Sequence, residues 1–120
     1  MNDWYEAESR VEKAHQLAES RQWAEALSEI DAALEINPEH STWQAHRGYI
    51  LDQMERFEEA IDAYRVSAKL DPSDVDVLMA LGVDLARTLR CEEANEVLEQ
   101  AERLDPDIEA SYCYRILTYT

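Results

Sequence analysis

The chain has 120 residues, 46% of them hydrophobic, which is one domain's length with enough apolar material for a packed core. Its 27 acidic residues against 11 basic ones leave a net charge of -16, a surface that repels phosphate backbones and anionic lipid and so argues against nucleic-acid and membrane-surface binding. No apolar run approaches the roughly 20 residues that cross a bilayer, and the start of the chain has neither the basic nor the apolar stretch of an export signal, so a cytoplasmic location is expected.

In chain order, Asp3 is placed to cap a first helix that runs to about Ser20, with Ala7, Val11, Ala14, Leu17 and Ala18 on one apolar stripe. Trp4 and Tyr5 extend this helix and are expected to cover its exposed end. A second helix, Trp23 to Ile36, carries Ala26, Leu27, Ile30, Ala33 and Leu34 on one face and is stopped by Asn37-Pro38. The same pair of helices then recurs over His40 to Gln53 and Phe57 to Leu70, ended by Asp71-Pro72. It recurs again over Asp74 to Arg87 and Cys91 to Leu104, ended by Asp105-Pro106. A seventh helix is read over 107–120; Ile108, Ala110, Tyr112, Cys113, Tyr114, Ile116, Leu117 and Tyr119 make it apolar nearly all round. Such a helix fits a piece of a longer array, a surface that packs on another copy through Tyr112, Cys113, Ile116, Leu117 and Tyr119, or an end cap with exposed tyrosines.

These segments share one period. Pro38, Pro72 and Pro106 stand 34 residues apart, and at that interval Ala26, Ala60 and Ala94 align, as do Leu17, Leu51 and Leu85. So do Ala14, Gly48 and Gly82, and Ile30, Tyr64 and Leu98. Small residues at one position of each helix pair let two antiparallel backbones cross closely, so each pair reads as a hairpin stacked on the next.

On Gly48, Leu51, Phe57, Ala60, Tyr64 and Pro72 in the middle unit, and Leu78, Leu81, Gly82, Leu85, Ala94, Leu98, Ala101 and Pro106 in the next, the chain resembles the tetratricopeptide repeat family. The first unit departs with Arg10 and Lys13 at usually apolar positions, which suits an end unit facing water. The resemblance implies an all-α, right-handed α-solenoid of three helix-turn-helix units plus the C-terminal helix, one domain over 1–120. Repeats fall at 8–38, 39–72 and 73–106, with 107–120 as a cap or the start of a fourth.

The resemblance also implies a concave groove lined by the first helix of each unit. Carried over, that lining is Glu8, Val11, His15 and Glu19, then Ala45, His46, Tyr49 and Asp52, then Asp76, Met79, Val83 and Arg87. Its apolar floor with acidic edges suits a partner peptide or helix with basic and apolar residues. Family members that hold acidic chaperone C-termini use basic and amide side chains, and the matching positions here are Val11, His15, His46, Asp76 and Ala80, so no such docking is expected.

Catalytic patterns are missing. The two glycines, Gly48 and Gly82, build no phosphate loop, and there is no HExxH pair. His15, His40 and His46 form no local metal pair, although His15 and His46 can meet across neighbouring helices. Asp71, Asp74 and Asp76 lack the glycine and closing glutamate of a calcium loop, and read as a helix stop followed by a cap. Cys91 and Cys113 read as reduced thiols. The expected function is therefore a non-enzymatic interaction scaffold without cofactor or metal. Self-assembly through the C-terminal helix, or a small bacterial secretion chaperone, are the alternatives.

Overall fold

A computed structural model of the chain describes residues 3–107. Those residues form six helices: α1 (Asp3–Glu19), α2 (Trp23–Ile36), α3 (Ser41–Gln53), α4 (Phe57–Leu70), α5 (Val75–Arg87) and α6 (Cys91–Leu104). The helices pair as α1 with α2, α3 with α4 and α5 with α6, and successive pairs meet through α2 and α3 and through α4 and α5. The stack measures 49 × 25 × 21 Å, the long, narrow form of hairpins laid side by side. The seventh helix expected over 107–120, and the self-association read from Tyr112, Cys113, Ile116, Leu117 and Tyr119, lie outside the described residues.

Each turn inside a hairpin closes in the same way. Arg21, Glu55 and Leu89, 34 residues apart, take the left-handed conformation at φ 60°, 58° and 67°. The next residue's N–H reaches back to the leucine that recurs near the end of each first helix: Gln22 to Leu17 at 2.9 Å, Arg56 to Leu51 at 2.9 Å and Arg90 to Leu85 at 2.8 Å. With Arg21, Glu55 and Leu89 bonding Ala18, Asp52 and Ala86, this double bond satisfies carbonyls left open at the helix end. Glycine is the usual residue there, and none of the three units has one.

Between hairpins the proline pairs act as stops. Asn37, Asp71 and Asp105 cap α2, α4 and α6, each N–H bonding a carbonyl four residues back. The following helices start from side-chain caps. His40 Nδ1 accepts from Trp43 N at 3.3 Å while its ring stacks on Trp43 at 3.9 Å, and Asp74 Oδ1 accepts from Val77 N at 3.3 Å. Asp71 Oδ1 is taken by Ser73 N and Oγ, so these aspartates serve as stop and cap. At the other end, α1 already includes Asp3 in its first turn, and Trp4 and Tyr5 are 64% and 74% exposed. The expected cover over the helix end is therefore not formed, and burial on α1 begins only at Ala7.

The core follows the period. Ala14, Ala26, Ala60, Ile30, Tyr64, Leu51 and Leu85 belong to one buried cluster that runs through all three hairpins. A Cβ on Gly48 would lie 2.6 Å from Tyr64 Cε1, and one on Gly82 would lie 2.5 Å from Leu98 Cδ2, so both glycines permit the close crossing that the spacing predicts. In the first unit, Arg10 Nη1 meets Glu29 at 2.8 Å and Lys13 Nζ meets it at 3.9 Å. An ion pair with a largely buried Glu29 thus stands where the equivalent Ala63 and Val97 are apolar. Arg47–Asp31 at 2.6 Å, Arg90–Glu58 at 2.6 Å and Arg65–Glu93 at 2.7 Å tie helices of successive hairpins together.

Candidate partner-binding groove

The first helices α1, α3 and α5 bring most of the residues expected in the groove to accessible positions. Tyr49 is 51% exposed, Ala45, His46, Met79 and Val83 are half-buried, and Glu8, Glu19, Asp76 and Arg87 are exposed. Val11 is an exception, buried in the core, because it shares with Ala7 and Ala14 the stripe of buried residues on α1. It contributes packing and almost no surface.

Four of these side chains, His15, Glu19, His46 and Tyr49, converge on one cavity with Ala18 and Ile50. His15, Ala18 and Glu19 of α1 and His46, Tyr49 and Ile50 of α3 line about 480 Å³ of mostly apolar space open to solvent. Trp23, at the start of α2, sets its ring edge-on to Tyr49 at 6.1 Å and holds one wall upright. The two histidines meet directly, His15 Nε2 against His46 Nδ1, with ring centroids 4.3 Å apart. Burial, and then the neighbouring His15 and His40, push the His46 pKa below its ordinary 6.5, so the ring is neutral near pH 7. Among the described residues no three potential ligands gather to hold a metal ion. What remains is a mostly apolar, aromatic-walled socket with Glu19 in its lining.

At the other end of the groove lies a group that the period hides. Asp52, expected as an open acidic edge, is partly buried, and its Oδ2 accepts from the Tyr64 hydroxyl at 3.0 Å. Asp84, one step inward on α5, is 1% exposed. Burial first, and then the adjoining Asp52 carboxylate, drive the Asp84 pKa up to about 8 against the pull of Arg87. Arg87 Nη1 sits 3.7 Å from Asp84 Oδ1, while its guanidinium lies 5.2 Å from the centre of the Phe57 ring. Asp84 was missed because acidic residues are read as solvated by default. The signal was present in its flanks, Val83, Leu85 and Ala86, and in Ile50 at the equivalent position one period earlier.

Stacked helix hairpins with an open face on their first helices define a helical-repeat solenoid. The tetratricopeptide repeat family model matches residues 11–75, and the chain belongs to that family. The fold agrees with that of solved domains. The TPR domain of Arabidopsis OM64 superposes with a TM-score of 0.87 at 20% identity, over 96% of each chain. The second TPR domain of human RPAP3, solved in complex with the HSP70 peptide SGPTIEEVD, gives 0.85 at 15% identity over 93% of each chain. The TPR2B domain of yeast Sti1, solved as a complex with pHsp70, gives 0.81 at 19% identity over 96% of this chain and 94% of that one. No curated protein matches the chain.

Proposed function

We propose that this protein is a non-enzymatic docking module that receives an extended peptide or helix carrying an apolar anchor beside lysine or arginine. The observation that carries the reading is the socket between α1 and α3, apolar within and rimmed by Glu19, with the exposed Tyr49 ring as its wall. An apolar side chain entering it displaces water from aromatic surface, and the exposed carboxylates of Glu8, Glu19 and Asp76 favour cations beside that anchor. Met79 and Val83 continue the apolar floor along α5. A cytoplasmic location belongs to the same proposal; among the described residues no helix is long and apolar enough to cross a membrane.

The human RPAP3 domain was solved with the HSP70 peptide SGPTIEEVD and the yeast Sti1 domain as a complex with pHsp70; the positions matched to an acidic-peptide clamp in this chain are Val11, His15, His46, Asp76 and Ala80. Val11 is buried, burial holds His46 toward its neutral form, and Asp76 is an exposed acid that repels a carboxylate, and none of the five is a lysine or arginine. The test is fluorescence anisotropy with two labelled peptides that share an aromatic anchor, one flanked by lysines and one by glutamates. The lysine peptide should bind more tightly, and the preference should shrink in high salt. Tyr49→Ala should weaken it by about tenfold or more, the loss of a central aromatic contact. Tighter binding of the glutamate peptide overturns the proposal.

A further inference from the structure

Asp84 sits in a stretch of α5 whose neighbours are apolar, and its side chain is sealed from water. Among the described residues its Oδ1 has only the long contact to Arg87, a guanidinium half in solvent. Its Oδ2 has no hydrogen-bond partner among the described residues, and neither has Oδ1 of Asp52. Asp52 adjoins Asp84, and its side chain, as a hydrogen-bond partner and as a like charge, favours the protonated form of Asp84. Ionised carboxylates only accept, so as a doubly charged pair they leave two buried acceptors open and repel each other as well. One proton removes both faults: held on one carboxyl, it is donated to the other, and the Tyr64 hydroxyl satisfies the remaining oxygen of Asp52.

We propose that Asp52 and Asp84 share a single proton at neutral pH and form a titratable latch that joins the second and third hairpins. The groups facing the pair are Tyr64 from α4 and Arg87 on α5 itself, and on the α6 side α5 meets Leu98 at Gly82. Arg87 is the only cation among them, and its exposure leaves it too weakly coupled to neutralise a second buried charge. The latch crosses between α3 and α5, so its state acts on the joint between two units of the stack. The inference does not depend on what the groove binds.

A carboxyl whose folded pKa is about 8, against an ordinary 3.8, keeps a proton that the unfolded chain has released. Its stabilising effect is complete below the ordinary value and is lost as pH rises through the folded one. Across that window the unfolding constant should grow by up to about tenfold per pH unit through this pair alone.

Carbon-13 NMR of the aspartate carboxyls in the full chain, followed from about pH 4 to 9, reads the latch directly. One resonance assigned to Asp52 or Asp84 should titrate above about pH 6.5. If both titrate below that value, the latch is disproved, and this arm needs no variant. Urea unfolding of wild type and Asp84→Asn over the same range is the second arm. The amide donates to Asp52 as the protonated acid does, without titrating, so the variant should lose the pH-dependent loss of stability that the wild type shows. Parallel curves for the two proteins overturn the proposal.

Discussion

Placing a methyl group on either helical glycine probes the feature on which the hairpins depend. Normally Gly→Ala inside a helix is stabilising by about 1 kcal/mol. Here the new carbon on Gly82 would stand 2.5 Å from Leu98 Cδ2 and 2.6 Å from its Cγ, so Leu98 must retreat by roughly 1 Å to restore van der Waals distance. Leu98 is 1% exposed and packed in a buried cluster with Leu78 and Ala101, so it retreats against other side chains and not into water. Overpacking of this kind costs about 1–3 kcal/mol, and two clashing atoms of a buried side chain place it in the upper half. Set against the gain in propensity, Gly82→Ala should destabilise by about 1–2 kcal/mol, or lower Tm by roughly 4–8 °C in a domain of this size. Gly48→Ala should be worse. Its Cβ meets three ring atoms of Tyr64 at 2.6–2.8 Å, and the ring must tilt as a unit while its hydroxyl is held by Asp52. The control is Ala14→Gly at the equivalent position of the first unit, which should cost about 1 kcal/mol through propensity. Urea denaturation of the three variants decides the matter. If Gly82→Ala and Gly48→Ala both raise stability by about 1 kcal/mol, as exposed helix positions would, the close crossing is not there.

Leu89→Gly should stabilise by about 0.5–1 kcal/mol in urea denaturation: the left-handed conformation costs a side-chain-bearing residue about 1–2 kcal/mol, and glycine gives back part of that as unfolded-state entropy. Leu89 is 85% exposed, so no burial is lost, and a destabilised variant refutes the turn assignment. Asp74→Ala should cost about 1 kcal/mol by removing the α5 cap, whereas Ser73→Ala should have a much smaller effect on the same measurement. Proton NMR should show His46 titrating below its ordinary 6.5. Because that pKa is depressed in the fold, the stability it supplies is present above 6.5 and lost as pH falls through the folded value, and His46→Gln should remove that part of the acid sensitivity. A His46 midpoint at or above 6.5 contradicts the burial of the pair. An acidic C-terminal peptide such as SGPTIEEVD should show no micromolar binding by anisotropy, and saturable binding in that range would mean that the groove presents cations not assigned to it.

Much of the scaffold could be read from the period. Helix ends marked by Pro38, Pro72 and Pro106 fall where the residues before them indicate, because a proline both removes a donor and restricts its predecessor. Burial of Ala26, Ala60 and Ala94 was legible for the same reason: a small residue held at one position across units marks a helix crossing. Arg21, Glu55 and Leu89 were not legible as left-handed, since side-chain chemistry there favours nothing of the kind and only the hydrogen bonds back to Leu17, Leu51 and Leu85 impose it. The burial of Val11 was legible in the stripe it shares with Ala7 and Ala14 and conflicts only with its place in the groove lining, whereas the exposure of Trp4 and Tyr5 at the start of α1 had no signal in the sequence.

The groove illustrates why such residues escape. Repetition specifies what the three units have in common, the packed crossing of two helices, and so it predicts the scaffold. Anything that distinguishes this chain must lie where the units differ. His15 aligns with Tyr49 and Val83, His46 with Glu12 and Ala80, Asp52 with Ala18 and Ala86, and Asp84 with Gln16 and Ile50. Each of these departures places a polar group where at least one sister unit holds an apolar one, and a polar group at such a site persists only if another departure meets it. His15 meets His46, Asp52 meets Tyr64 and Asp84, and Glu29 meets Arg10 and Lys13. All three sets join different helices, so the differences between units are themselves paired. That pairing turns a generic stack of hairpins into a groove with an aromatic socket at one end and an acid pair at the other.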